Sequence, residues 1–167
     1  LTIGLLSGLT IAEDAPPSKL PAENMIKITS NRLESDSKLK TAEFIGNVIA
    51  RQASTVINAE RLKIFYQGDI GNRAGPVSNN NAITKIIASG NVQIKMDDRE
   101  AEADTATYIT KTKELTLIGA DAKVSQGDNF ISGSKIIFYR SDGRTIVEGN
   151  QKNQVKAVFY PKDKGFQ

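Results

Sequence analysis

A chain of 167 residues with 39% hydrophobic and 25% charged residues has the size and composition of one folded domain with a real core. It contains no Cys and no His, which excludes disulfides, thiolate zinc sites, a Cys-linked lipid anchor, Ser–His or Cys–His nucleophiles and the usual neutral-pH proton shuttle. The net charge of +3 is dispersed, with Lys111/Lys113, Lys152/Lys156 and Lys162/Lys164 in separate segments, so the sequence offers no clustered basic stripe for nucleic acid.

Residues 1–12 are uncharged, too short to span a bilayer, and fit a truncated signal-peptide h-region, which sends the mature protein out of the cytoplasm. Residues 13–24, with Pro16, Pro17 and Pro21, read as an extended Pro-rich linker. The domain proper is expected over 25–161, followed by a polar tail at 162–167.

From Met25 onward apolar residues alternate with polar ones, the period of a half-buried strand. Ile26 and Ile28 alternate with Lys27 and Thr29, and Val48 and Ala50 with Ile49 and Arg51. Leu62, Ile64 and Tyr66 share a side, as do Val92, Ile94 and Met96, and Leu115 and Leu117. The segment 99–108 is rich in helix formers, but Ala101, Ala103, Ala106 and Tyr108 make no helical stripe, so a strand is expected there too. Asp97-Asp98, Gln126-Gly127-Asp128-Asn129 and Ser141-Asp142-Gly143 are hairpin-compatible turns.

A motif recurs along these strands. Gly46-Asn47 and Gly90-Asn91, with weaker copies at Gly119-Ala120-Asp121 and Gly149-Asn150, follow at intervals of 44, 29 and 30 residues. Setting aside a Gly- and Asn-rich loop of about 14 residues over 68–82 brings the first interval to 30. Self-similarity at such a period marks stacked units that bury their apolar faces against their neighbours. Each Gly is read as a bend or bulge at a strand start, and strands of about five to eight residues predict an elongated, open-ended stack of two facing antiparallel sheets.

No constellation points to catalysis, and neither a cofactor nor a metal is expected. Asp97 and Asp98, then Glu100, Glu102 and Asp104, form what a solvated strand face looks like, without converging ligands. The Gly-rich stretch 68–76 lacks the Gly-Lys-Ser/Thr ending of a phosphate loop. The apolar inner set is more telling: Ile26, Ile28, Val48, Leu62, Ile64, Val92, Ile94, Tyr108, Leu117, Val124, Ile136 and Phe138 extend along the whole domain. They form either an ordinary filled sandwich core or a trough for hydrocarbon chains, in which each buried methylene is worth about 0.8 kcal/mol. The terminal strands carry no Pro or charge block to protect them, and two unprotected edges favour head-to-tail association.

Ile26-Lys-Ile-Thr-Ser-Asn, Phe44-Ile-Gly-Asn-Val-Ile-Ala-Arg-Gln and Ile57-Asn-Ala-Glu-Arg-Leu, in that order and spacing, resemble the OstA-like family of periplasmic lipopolysaccharide-transport proteins. The resemblance runs from Met25 to Pro161. It implies a twisted β-jelly roll and a non-enzymatic periplasmic carrier that binds lipopolysaccharide through its acyl chains. It further implies a head-to-tail homo-oligomer bridging the inner-membrane and outer-membrane transport components, with lipid contacts at Ile26, Ile94 and Tyr108. Two other readings stand beside it: an OstA-like domain belonging to another transport component, and a filament-forming structural β module whose core is filled.

Overall fold

The structure is a computed structural model and describes residues 25–67 and 82–161. The expected signal remnant, the linker, the tail and all of the loop but Ala82 lie outside the described residues. The elements are β1 (Lys27–Thr29), β2 (Arg32–Asp36), β3 (Thr41–Gln52), β4 (Thr55–Gln67), β5 (Ala82–Met96), β6 (Arg99–Ile109), β7 (Glu114–Gln126), β8 (Asn129–Tyr139), β9 (Arg144–Glu148) and β10 (Lys156–Val158).

All ten strands pair antiparallel in one sheet that does not close. From β3 to β8 each strand pairs with the next in sequence, as short hairpin connections dictate. At one end β1 and β2 lie in line along β3; at the other, β10 and β9 lie in line along β8. The segment 99–108 falls within β6, where β-alternation prevails over helix propensity. Two-residue turns at 53–54, 97–98 and 127–128 place Ala53, Asp97 and Gly127 at positive φ (49°, 54° and 58°), as a primed turn demands.

One correction concerns the glycines. Strands β3 to β8 are 11 to 15 residues long, not five to eight, and Gly46, Gly90 and Gly119 lie inside them rather than at their starts. The register shifts there: Ile45/Val48 in β3, Ser89/Val92 in β5 and Ile118/Ala122 in β7 each bracket extra residues opposite a shorter stretch of the partner. These are β-bulges, and Gly46 and Gly90 (both φ 79°) with Asn47 and Asn91 (48° and 46°) supply the left-handed residues that they need. Lined up from strand to strand, the bulges form a crease that divides every long strand into two arms of the length expected for a whole strand. In β4, β6, β7 and β8 the alternation also changes parity at the crease: Leu62 and Ile64 are buried on one arm of β4, Ala59 on the other.

Both arms bury one side into a single cluster, with Phe44, Leu62, Ala88, Leu117 and Ile136 from one arm and Val48, Ala59, Val92, Ile94 and Val124 from the other. The sheet is therefore folded along its crease so that the arms face each other, a β-jelly roll. One arm ends in the turns 37–40, 110–113 and 140–143 (the long-turn arm), the other in the two-residue turns (the short-turn arm).

Candidate functional site

The crease is built by a pairing that recurs across the molecule. Ahead of each glycine in the chain, a polar residue lies beside it. Asn31 donates its N–H to the Gly46 carbonyl at 2.9 Å. Glu60 lies over Gly90 and accepts from Asn91 Nδ2 at 2.8 Å. Asp104 lies beside Gly119 and accepts from the Ala120 N–H at 3.2 Å. Ser134 Oγ donates to the Glu148 carbonyl, next to Gly149, at 2.9 Å. Each partner stands fifteen residues before its glycine, and thirty where residues 68–81 intervene. This spacing was present in the sequence but carries meaning only once strand pairing is known.

With the crease fixed, side chains line up across the strands. On the long-turn arm one ladder runs Leu33, Phe44, Leu62, Ala88, Ala106, Leu117, Ile136, Val147. Beside it runs a second: Ala42, Ile64, Ile86, Tyr108, Leu115, Phe138. On the short-turn arm the ladder is Ile28, Ala50, Ile57, Ile94, Ala101, Val124, Ile131, Ala157. The first and third ladders cross the sheet from one free edge to the other without a charged residue. Among the larger side chains burial is deepest in Leu62, Val48 and Val92 at 1% exposed and in Leu117 and Ile136 at 0%; Ile28, Ile57, Tyr108 and Phe138 are half-buried.

Eleven of the twelve sequence-selected residues, all except Ile26, are thus brought to one inner face. Ile26 precedes β1 instead of belonging to it and is 37% exposed, because pairing with β3 begins only at Lys27. The sequence selection missed Phe44, Ile57, Ile86, Leu115 and Ile131 of the ladders, and the small members Ala42, Ala50, Ala59, Ala88, Ala101, Ala106 and Ala122, all seven buried. Their signal was alternation itself, as in Glu100-Ala101-Glu102-Ala103, and their size lets two facing sheets approach.

The outer face carries the charged rows, with apolar residues such as Phe65, Ile87 and Ile137 among them. In the row beside the first ladder, Glu43 accepts from Arg61 at 2.8 and 3.0 Å and pairs with Lys63 at 3.6 Å. The Arg61 hydrogen bond holds the Glu43 carboxyl below the usual carboxylate range, against a smaller opposing effect of burial. A polar cavity of about 330 Å³ opens at the crease between Asn91, Glu102, Asp104 and Asp121. The candidate site is the inner face, where apolar surface is continuous and can shield hydrocarbon from water.

Residues 27–144 match the family described as LptA/(LptD N-terminal domain) LPS transport protein. An uncharacterized protein of Rickettsia prowazekii (strain Madrid E) is 27% identical over 116 residues, 68% of this chain and 74% of its own length. An uncharacterized protein of Rhizobium meliloti (strain 1021) is 26% identical over 148 residues, 88% of this chain and 73% of its own. Among solved structures, the crystal structure of LptH, the LptA-homologous periplasmic component of the conserved lipopolysaccharide transport device of Pseudomonas aeruginosa, superposes with a TM-score of 0.68 at 18% identity. It covers 84% of this chain and 100% of LptH, a likeness of fold.

Proposed function

We propose, on the premise that this chain belongs to the LptA/LptD N-terminal-domain family of lipopolysaccharide-transport proteins, that it is a periplasmic carrier that holds lipopolysaccharide acyl chains between its two arms and passes them from the inner towards the outer membrane. The observation that carries this reading is the pair of apolar ladders that reach both free edges of an unclosed sheet. A chain lying along them meets hydrocarbon at every step, and about 0.8 kcal/mol per buried methylene favours keeping it there. Ile28, Val48, Leu62, Ile64, Val92, Ile94, Tyr108, Leu117, Val124, Ile136 and Phe138 form the groove in this proposal, with Ile26 at its entrance. The half-buried residues give way first as the arms part.

The free edges of β1/β2 and β9/β10 are the surfaces for head-to-tail stacking, and for docking to the inner-membrane and outer-membrane transport components. An exposed strand edge offers unpaired N–H and C=O groups to another chain.

Photo-crosslinking to lipopolysaccharide with the probe at Ile94 in one variant and Lys95 in another tests the groove. Adjacent strand residues point to opposite faces; Ile94 is 3% exposed, whereas Lys95 is exposed and pairs with Glu100 at 2.9 Å. Adducts at Ile94 and not at Lys95 are expected. Labelling that favours Lys95 places the lipid outside the arms and ends the groove proposal. Absence of adducts at both positions favours a second reading, a structural module with a filled core, which the complete burial of Leu117 and Ile136 supports. The family's description also covers a domain of a larger transport component, and such a domain would use the same inner face.

A further inference from the structure

The two rows of turns carry opposite charge. On the long-turn arm, turn 37–40 holds Lys38 and Lys40, turn 110–113 holds Lys111 and Lys113, and turn 140–143 opens with Arg140 and includes Asp142. On the short-turn arm, the turns at 53–54, 97–98 and 127–128 hold Asp97, Asp98 and Asp128 and no cation. Lys38, Lys111, Lys113 and Arg140 are exposed, and none of them forms an ion pair among the described residues. Flanking Asp36 and Glu114 leave the long-turn row positive.

The topology gathers these residues. Lys38 and Lys113 are 75 positions apart in sequence, yet both stand at the ends of the same arm because the strands between them run back and forth across the crease. An amphiphile with its chains between the arms has to leave its head at the side away from the crease, where the rows of turns stand. There an anionic head is attracted by one row and repelled by the other. Lys and Arg give phosphate oxygens charge-assisted hydrogen bonds, stronger than those between neutral groups.

We infer that the row of long turns is a phosphate-binding lip, with Lys38, Lys111, Lys113 and Arg140 holding the head phosphates of the carried glycolipid while its chains lie on the inner face. The lip sets which way round the lipid sits, and it selects phosphorylated heads over uncharged ones. This rests on the lipid-carrier reading above and adds to it an orientation and a head-group class.

The test compares binding of diphosphoryl and monophosphoryl lipid A by the full chain. The chain as it stands should prefer the diphosphoryl lipid several-fold at low salt. Replacing the four cations together (Lys38→Gln, Lys111→Gln, Lys113→Gln, Arg140→Gln) should weaken diphosphoryl binding about tenfold, the sum of several exposed ion pairs. The loss should shrink as salt screens the charges. A second variant, Asp97→Asn with Asp128→Asn, should bind as well or better. Equal binding of both lipids by the unaltered chain overturns the lip and leaves the carrier standing. Binding of neither lipid overturns the carrier reading and the lip with it. A fourfold variant that keeps the preference, or one that loses both lipids equally with a lowered melting temperature, also overturns the lip.

Discussion

At the scale of single residues the crease glycines answer to two demands, backbone conformation and room. Gly90 adopts φ 79°, and a Cβ there would stand 2.5 Å from Glu60 Oε2 and 2.8 Å from Glu60 Cβ. Gly127 shares the positive φ, at 58°, but a Cβ there would meet nothing within 4 Å. Substituting Ala at Gly127 therefore reports the conformational cost alone, about 1–2 kcal/mol. At Gly90 the same change also displaces Glu60 from its bond to Asn91, and a total of about 2–4 kcal/mol is expected. Urea denaturation of Gly90→Ala, Gly127→Ala and the double variant Gly90→Ala/Glu60→Ala separates the contributions. If crowding by the Glu60 carboxylate is the cause, truncating it removes the 2.5 Å contact, though not the one at Cβ, and recovers part of the loss in the Gly90→Ala background. Equal costs at the two glycines would show that room at the crease does not matter.

At the scale of elements, two-residue turns close three hairpins with tight geometry, and one uses an unsuited residue. Ala53 sits at φ 49°, where Asp97 and Gly127 occupy the equivalent positions of the other two hairpins. Ala53→Gly relieves the left-handed strain and should raise stability by about 0.5–1 kcal/mol, read as a higher denaturation midpoint with unchanged slope. A lowered midpoint would mean that the turn carries no such strain. Hairpins of this kind were legible where the sequence advertised them, at Asp97-Asp98 and Gly127-Asp128, and silent at Ala53-Ser54, where Ala marks no turn and Ser only a weak one. The thirty-residue period and the β character of 99–108 were legible because alternation repeats strand after strand. Full strand length was not, since a glycine inside a strand resembles one at its start, and in β4, β6, β7 and β8 the alternation changes parity partway. The Asn31, Glu60, Asp104 and Ser134 partners were invisible for a related reason: their role lies in contact across strands, and each is a different residue type. Ile26 misled because alternation continues past the point at which β3 offers it a partner.

At the scale of the whole molecule the two ends of one ladder are unlike. The first ladder begins at Leu33, 46% exposed on β2, and ends at Val147, half-buried on β9. The edges that carry them differ in sequence and neighbours, with Met25 and Leu39 exposed near one and Val155, Phe159 and Tyr160 near the other. A joint between unlike surfaces is heterologous, and repeated without closure it gives open filaments. If the ladder continues from Val147 of one copy to Leu33 of the next, a lysine at either end removes one joint and leaves the other, because inward-pointing charge at a strand edge blocks pairing. Leu33→Lys alone and Val147→Lys alone should each then sediment as monomers at concentrations where the unaltered chain forms a ladder of oligomers. The mixture of the two variants should give dimers and nothing larger, since each supplies the edge that the other lacks. Melting curves within a few degrees of the parent establish that both variants are folded. A joint between like edges gives another pattern, in which one variant still dimerises alone and mixing adds nothing. That outcome would break the continuous apolar path on which the proposed hand-over from copy to copy depends.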